Sequence, residues 1–388
     1  MKSKGNKGNH CMTDTIRYLK IANYRSIDVL ELRDIQPFSV FAGPNGAGKT
    51  NFFEALDFVN WVIQFGVHKA IKKQGGFKNI HCWKRNAKAA RVFEFEIKTQ
   101  NNLQDLTYRL TIDQLETSSP LKKEEIWLDE KPITEQNLVA IFRQSPDDSL
   151  PQQNQEPIEV KNIFHNLSIV PAVQQVLPFR MDFFNNFRLY RINPEEAKRA
   201  VENEDDSELS HNGGNLAAVL NRLEKDDDLR ETLLEWMTLI VPGLEQVHTK
   251  SERLTGSTVL AFQEAGLENV LPTHLISDGT IYLLSVLVAI LDRPERGITL
   301  IEEPERGLHP QAVMELVDGF REQASFERPI WVTTHNEALV RCLKNNELWL
   351  VDKKQSLTKM KQVQVVDKLV SSLDQAWLTN ALGGGLAW

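Results

Sequence analysis

The chain has 388 residues, 41% hydrophobic and 25% charged, the balance of a globular protein large enough for one big domain or two ordinary ones. Its net charge of −8 excludes attraction to nucleic acid or an anionic membrane by bulk charge, so such contact needs a local basic surface. Three cysteines, Cys11, Cys82 and Cys342, without CxxC spacing, argue against a disulfide framework and for a cytoplasmic location; no apolar run reaches the ~18 residues of a membrane helix.

Residues 1–14 are polar and basic with no apolar segment behind them, which reads as a mobile tail rather than a secretory signal. Strands are expected over Thr15–Ile27 and Pro37–Ala42. A helix from Lys49 follows, with Phe52, Ala55, Leu56, Val59 and Ile63 on one face. Arg91–Lys98 and Leu106–Ile112 alternate like a half-buried hairpin. Ser145–Pro157 carries three prolines and almost no apolar residue, a surface loop or disordered insert. Helices are expected from Asn215 and over Leu229–Ile240. From Ile298 the pattern becomes strand (298–301), helix (310–324), strand (329–333), helix (337–344), strand (347–351). Apolar strands alternating with amphipathic helices argue for a largely parallel sheet covered on both faces.

Gly43-Pro44-Asn45-Gly46-Ala47-Gly48-Lys49-Thr50 matches G-x-x-x-x-G-K-[ST] between a predicted strand and a predicted helix, the setting of a P-loop. Glycines let backbone N–H groups converge on phosphates, and the helix N-terminus adds positive potential. Lys49 is expected on the β- and γ-phosphates and the Thr50 hydroxyl on magnesium. The strand Ile298–Ile301 ends in Glu302 and Glu303: Glu302 suits a magnesium ligand, through water, and Glu303 a base for the attacking water. Trp331–Thr334 is a second apolar strand with a polar tip, His335, placed to hydrogen-bond the γ-phosphate and sense its loss. Ser277-Asp278-Gly279-Thr280 opens an apolar helix, with Ser277 as its N-cap.

Taken together these residues resemble the ABC-type ATPases of the RecF, SMC and OLD group: Walker A at Gly43–Thr50, signature at Ser277–Thr280, Walker B at Ile298–Glu303, D-loop at Glu305–Pro310, switch histidine at His335. The resemblance implies an α/β P-loop NTPase fold, a two-lobe head with a mixed, largely parallel sheet and a short helical insertion. A single domain is expected over 15–352, with lobe I about 15–140, the insertion about 141–245, lobe II about 246–352, and a C-terminal extension over 353–388. ATP and Mg2+ are the implied cofactors. Arg25, in the Asn23-Tyr24-Arg25 turn, joins Asn45, Gly46, Gly48, Lys49, Thr50 and Asn51 as nucleotide contacts, with Glu303, His335 and Lys49 catalytic and Thr50 and Glu302 on the metal. Ser277, Asp278 and Gly279 would face the ATP of a second subunit, giving a head-to-tail homodimer that can build higher oligomers. Three departures stand out: the signature is SDGT, the first Walker B acid is glutamate, and no Q-loop glutamine is evident beyond the weak candidates Gln174 and Gln175.

From Phe58 to Phe93 there is no acid but eight basic residues, Lys69, Lys72, Lys73, Lys78, Lys84, Arg85, Lys88 and Arg91, beside Phe77 and Trp83. That makes nucleic acid a candidate partner. With 36 residues after the last expected strand there is no room for an appended nuclease, so cutting or toxicity would fall to a separate effector. Such stand-alone heads resemble ATPases of bacterial anti-phage defence. The leading expectation is therefore an ATPase switch or motor serving a nuclease or toxin effector in defence or DNA maintenance. A nucleotide-gated DNA clamp with little turnover is the alternative. A transporter subunit is disfavoured by SDGT and by the long interval from Thr50 to Ser277; no membrane partner is expected.

Overall fold

The computed structural model describes residues 15–83, 92–100, 105–114, 120–133, 168–174, 183–184, 186–201, 206–251, 257–363 and 373–379. The central sheet is six-stranded, in the order β15-β14-β3-β13-β12-β8. Its strands are β3 (Phe38–Ala42), β8 (Phe187–Tyr190), β12 (Ile298–Glu302), β13 (Ile330–Thr334), β14 (Leu348–Lys354) and β15 (Leu357–Gln362). All neighbours are parallel except the β14–β15 hairpin. Alternate residues leave each strand on opposite faces, as the pleat requires. Phe41, Leu300, Trp331 and Trp349 enter one core, and Val40, Ile301, Val332 and Leu350 the other. Burial on both faces is why these strands read as unbroken apolar runs.

The first face is covered by α1 (Lys49–Phe65), whose Phe52, Phe53, Leu56 and Val59 are buried. A second, antiparallel sheet with strand order β2-β1-β4-β5-β6-β7 completes this lobe. Its strands are β1 (Thr15–Tyr24), β2 (Ile27–Arg33), β4 (Val92–Gln100), β5 (Asp105–Asp113), β6 (Leu121–Leu128) and β7 (Lys131–Pro132). The short α2 (Val67–Lys73) and α3 (Val170–Gln174) belong to this side. Opposite lie α4 (Pro194–Ala197), α5 (Leu216–Leu223), α6 (Asp227–Ile240), α7 (Asp278–Leu291), α8 (Pro310–Gln323) and α9 (Glu337–Arg341). A three-stranded sheet of β9 (Leu244–Ser251), β10 (Thr258–Glu264) and β11 (Leu271–Pro272) packs with them, and α10 (Leu373–Leu378) contacts α9.

Three sequence expectations need correction. The single strand over 15–27 is a hairpin: the chain turns at Arg25-Ser26 and returns as β2, paired antiparallel with β1. The turn has neither Gly nor Pro; Asn23 and Arg25 themselves take positive φ, 62° and 47°. The segment assigned to an insertion, 141–245, contains β8, an edge strand of the central sheet. The segment assigned to a C-terminal extension contains β15, which finishes that sheet. Predicted tail 1–14 and loop Ser145–Pro157 lie outside the described residues. The amphipathic helices form as expected, and β4 and β5 pair antiparallel as the alternation at 92–98 and 106–112 predicts.

Candidate active site

Three parallel neighbours, β3, β13 and β12, deliver the site from their C-terminal ends. The P-loop leaves β3, and its first amide, Gly43 N–H, donates to the Thr334 carbonyl at the tip of β13 (3.2 Å). Asn45 and Gly46 are exposed at the crown of the loop, and Thr50 is exposed in the first turn of α1. Gly48 precedes that turn with φ 104°. A Cβ there would lie 1.9 Å from the Thr358 hydroxyl, so both the left-handed backbone and the close approach require glycine.

Lys49 is 7% exposed. Its ammonium donates to the Gly43 and Pro44 carbonyls at 2.7 and 3.0 Å. Burial lowers its pKa, while Glu303, Glu305 and Glu302 pull it upward. Among the described residues its hydrogen bonds go to neutral loop carbonyls, so the ammonium is available as a counter-charge to an anionic ligand.

Behind the loop is a small buried polar cluster that the sequence did not announce. The Thr358 hydroxyl, on β15, donates to the Ala47 carbonyl (3.0 Å) and lies 2.7 Å from the Ser26 hydroxyl. Asn51 donates to the same Ser26 oxygen (2.6 Å). Asn51 thus braces the loop from behind.

Glu302 and Glu303 close β12. The Tyr282 hydroxyl, on α7, lies 2.8 Å from the Glu302 carbonyl and 3.1 Å from that of Glu303. Glu303 has φ 51°, an uncommon conformation for a non-glycine residue and one found at functional sites. Its carboxylate is 2.7 Å from His335 Nδ1. The structure therefore brings together the two residues read separately as base and sensor. Glu302 instead meets Arg191, on the loop after β8: Nη2 and Nε contact Oε1 and Oε2, each at 3.0 Å. Arg191 Nη1 also reaches Glu54 (2.7 Å).

Arg25 pairs with Glu54 and donates to Gln74 (2.9 Å) and the Asn79 carbonyl (3.3 Å). Its guanidinium is thus committed to protein partners, not offered as a free phosphate contact. Gln174 lies in α3; the loop after β8, beside the Walker B strand, presents Arg191 instead of a glutamine.

Glu305, read only as part of a loop, is 3% exposed. It accepts from the Thr334 hydroxyl, which also accepts from Asn336 N–H (2.9 Å), while its other oxygen is buried without a hydrogen-bond partner. Burial pushes its pKa up to about 7.

Ser277 caps α7, its hydroxyl accepting from Thr280 N–H (3.1 Å). Asp278 and Gly279 line a groove of about 450 Å³ with Asn193, Arg306 and Gly307, and no P-loop residue enters it. Gly279 packs on Gly307: a Cβ on Gly279 would lie 2.8 Å from the Gly307 carbonyl. Of the basic stretch, Lys73 pairs with Asp57 (3.0 Å) and Trp83 is 65% exposed; Lys84–Arg91 lie outside the described residues.

Magnesium and nucleotide fit this donor set. Thr50 and Glu302 offer the hard oxygens magnesium takes, and the buried Lys49 ammonium offers a counter-charge to phosphate. Among the described residues no cluster of His, Cys, Asp or Glu forms a ready metal site, and no helix is long and apolar enough to cross a membrane.

The fold has solved counterparts. An SMC head bound to the C-terminal winged-helix domain of ScpA matches 90% of this chain and 98% of its own length, with 14% identity and a TM-score of 0.56. An SMC head with an extended coiled coil, bound to the C-terminal domain of ScpA, from Pyrococcus furiosus, covers 91% and 97%, with 12% identity and a TM-score of 0.50. No curated protein matches the sequence significantly. Residues 38–341 match the family model described as "AAA domain, putative AbiEii toxin, Type IV TA system". That span runs from the P-loop strand past His335 and takes in every central strand except the β14–β15 hairpin, so the chain belongs to this AAA-domain family, with the fold of an ABC-type, SMC-like P-loop ATPase.

Proposed function

We propose that the chain binds Mg-ATP at Gly43–Thr50 and hydrolyses it, with the nucleotide joining two copies head to tail. The pairing of Glu303 with His335 at 2.7 Å carries the reading. It places a carboxylate with an exposed imidazole at the tip of the Walker B strand, two strands from the P-loop. Glu303 takes the proton of the attacking water, and His335 orients it and contacts the γ-phosphate. Lys49 leaves the loop carbonyls for the β- and γ-phosphates. Thr50 and Glu302 hold magnesium, which neutralises phosphate charge. Asn45, Gly46 and Gly48 shape the cradle. Asp278 and Gly279 line a groove that no P-loop residue enters, and Ser277 caps the helix beside them, which supports the use of all three on a partner's nucleotide.

The biological reading rests on the family. Its description refers to a type IV toxin–antitoxin system, which supports a cytoplasmic role in anti-phage defence. The SMC heads it resembles in fold were solved with a separate protein, ScpA, which supports a switch that acts on a separate nuclease or toxin. The exposed Trp83 beside a basic stretch favours nucleic acid as a further contact.

Three measurements test the core of this proposal. Lys49→Ala should abolish binding of a labelled ATP analogue. Glu303→Gln should bind ATP normally, lose at least ~10²-fold in turnover, and accumulate as a dimer by light scattering with ATP. A monomeric Glu303→Gln protein saturated with ATP refutes the head-to-tail assembly.

A further inference from the structure

The acid assigned to magnesium is not free. Glu302 and Glu54, each with a side chain 16% exposed, flank Arg191, and Arg25 stands on the far side of Glu54. The order is Arg25, Glu54, Arg191, Glu302: two guanidiniums and two carboxylates alternating. Arg191 Nη2 donates to Glu302 Oε1 at 3.0 Å, and Nε faces Oε2 at 3.0 Å as an ion-pair contact without hydrogen-bond geometry, so the flat guanidinium sets its charge against both oxygens, which a point-charge ammonium does not.

We propose that Arg191 gates the metal position by competing with the divalent cation for Glu302. This rests on the reading of Glu302 as the magnesium carboxylate. In the nucleotide-free protein the guanidinium neutralises Glu302 and occupies the oxygens a cation or its water would use. It also adds a positive charge that repels the cation. Metal therefore enters only when triphosphate supplies enough negative charge to shift the balance. Arg191 leads directly into Ile192–Glu195, which line the groove with Asp278, Gly279 and Arg306. The Glu302 contact thus lies at the root of the segment that lines this groove.

The test is Mn2+ binding to the nucleotide-free, full-length protein, read from the free-ion signal in electron paramagnetic resonance. Arg191→Gln should bind Mn2+ at least tenfold more tightly than wild type, because Glu302 loses the cation paired with it and Glu54 keeps only its contact with Arg25. Adding Glu302→Gln should return binding to the wild-type level. Arg191→Lys keeps the charge and loses the planar guanidinium that faces both oxygens, so it should fall between; it also carries the test if Arg191→Gln fails to fold, as judged by circular dichroism. A folded Arg191→Gln or Arg191→Lys protein that binds Mn2+ no more tightly than wild type overturns the gate. So does a gain that survives Glu302→Gln. Failure of wild type to bind ATP would instead refute the nucleotide site and leave the Mn2+ comparison standing.

Discussion

Thr358→Val isolates the support that β15 gives the P-loop. The substitution keeps the shape of the side chain, which is fully buried, and deletes one hydroxyl. That hydroxyl donates to the Ala47 carbonyl at 3.0 Å and contacts the Ser26 hydroxyl at 2.7 Å. Ser26 keeps its bond from Asn51, so the principal loss is a buried carbonyl left without its donor, worth about 1–3 kcal/mol. In a chain of this length each kcal/mol lowers Tm by roughly 1–2 °C. The deficit falls on the loop that must cradle phosphate. If about 2 kcal/mol is lost from the binding-competent loop, affinity falls by up to about 30-fold. Equilibrium binding of a fluorescent ATP analogue, with a melting curve, reads both effects. Ser26→Ala and the double mutant complete a cycle, and a coupling of at least ~0.5 kcal/mol is expected for two hydroxyls in contact. A Thr358→Val protein that binds the analogue within twofold of wild type and melts at the same temperature refutes the reasoning.

Glu305 titrates in a useful window. Its folded pKa of about 7 lies above the ordinary carboxyl value of 4.5, so the buried carboxyl is at no disadvantage below pH 4.5. As pH rises through 7 the unfolded chain ionises freely and the folded chain does so at a cost. Stability contributed by the neutral acid is therefore lost between those values, by up to roughly 3 kcal/mol at ~1.4 kcal/mol per unit. Glu305→Gln retains an acceptor for the Thr334 hydroxyl and should remove this loss: its Tm should match wild type near pH 4.5 and exceed it above pH 7. A constant difference across that range contradicts the assignment. Gly279→Ala places a methyl 2.8 Å from the Gly307 carbonyl, a backbone atom that cannot swing aside, at a cost of about 1–3 kcal/mol. ATP affinity of the monomer should survive while ATP-driven dimerisation fails, both measurable by analogue titration and light scattering.

The sequence exposes this site unevenly, for physical reasons. The P-loop and Walker B strand are legible because burial on both faces demands apolar runs, and the turns at their ends demand Gly or acids in order. Helix α7 is legible from its Ser277 cap and an apolar run too long for a strand. β15 is not: its LTKMKQ pairs on one side only and reads as a polar tail. β8 spans four residues, too few for a period. Arg191 reaches acids 137 and 111 positions away, and no local pattern encodes an ion pair at that separation. Glu305 misleads in the other direction. In Glu302-Glu303-Pro304-Glu305 an acidic loop suggests solvent, yet the fold turns its last member into the core against Thr334.

Thr334 and Tyr282 show how nucleotide and partner surfaces can be mechanically joined without a long pathway. The Thr334 carbonyl takes the first P-loop amide, and its hydroxyl holds Glu305 and the Asn336 amide. One residue thus ties Walker A, the D-loop and the switch-histidine loop. Tyr282, four residues from Asp278 on α7, fixes the carbonyls of Glu302 and Glu303, while Gly279 rests on Gly307 beyond them. In the proposed dimer, a second subunit's phosphate at the α7 N-terminus would therefore act on Glu302 and Glu303 within about one helical turn, through the Tyr282 hydroxyl. Partner-dependent hydrolysis is what the proposed dimer predicts: the positive-φ Glu303 backbone is held by Tyr282 from α7, the helix whose N-terminal Asp278 and Gly279 line the groove.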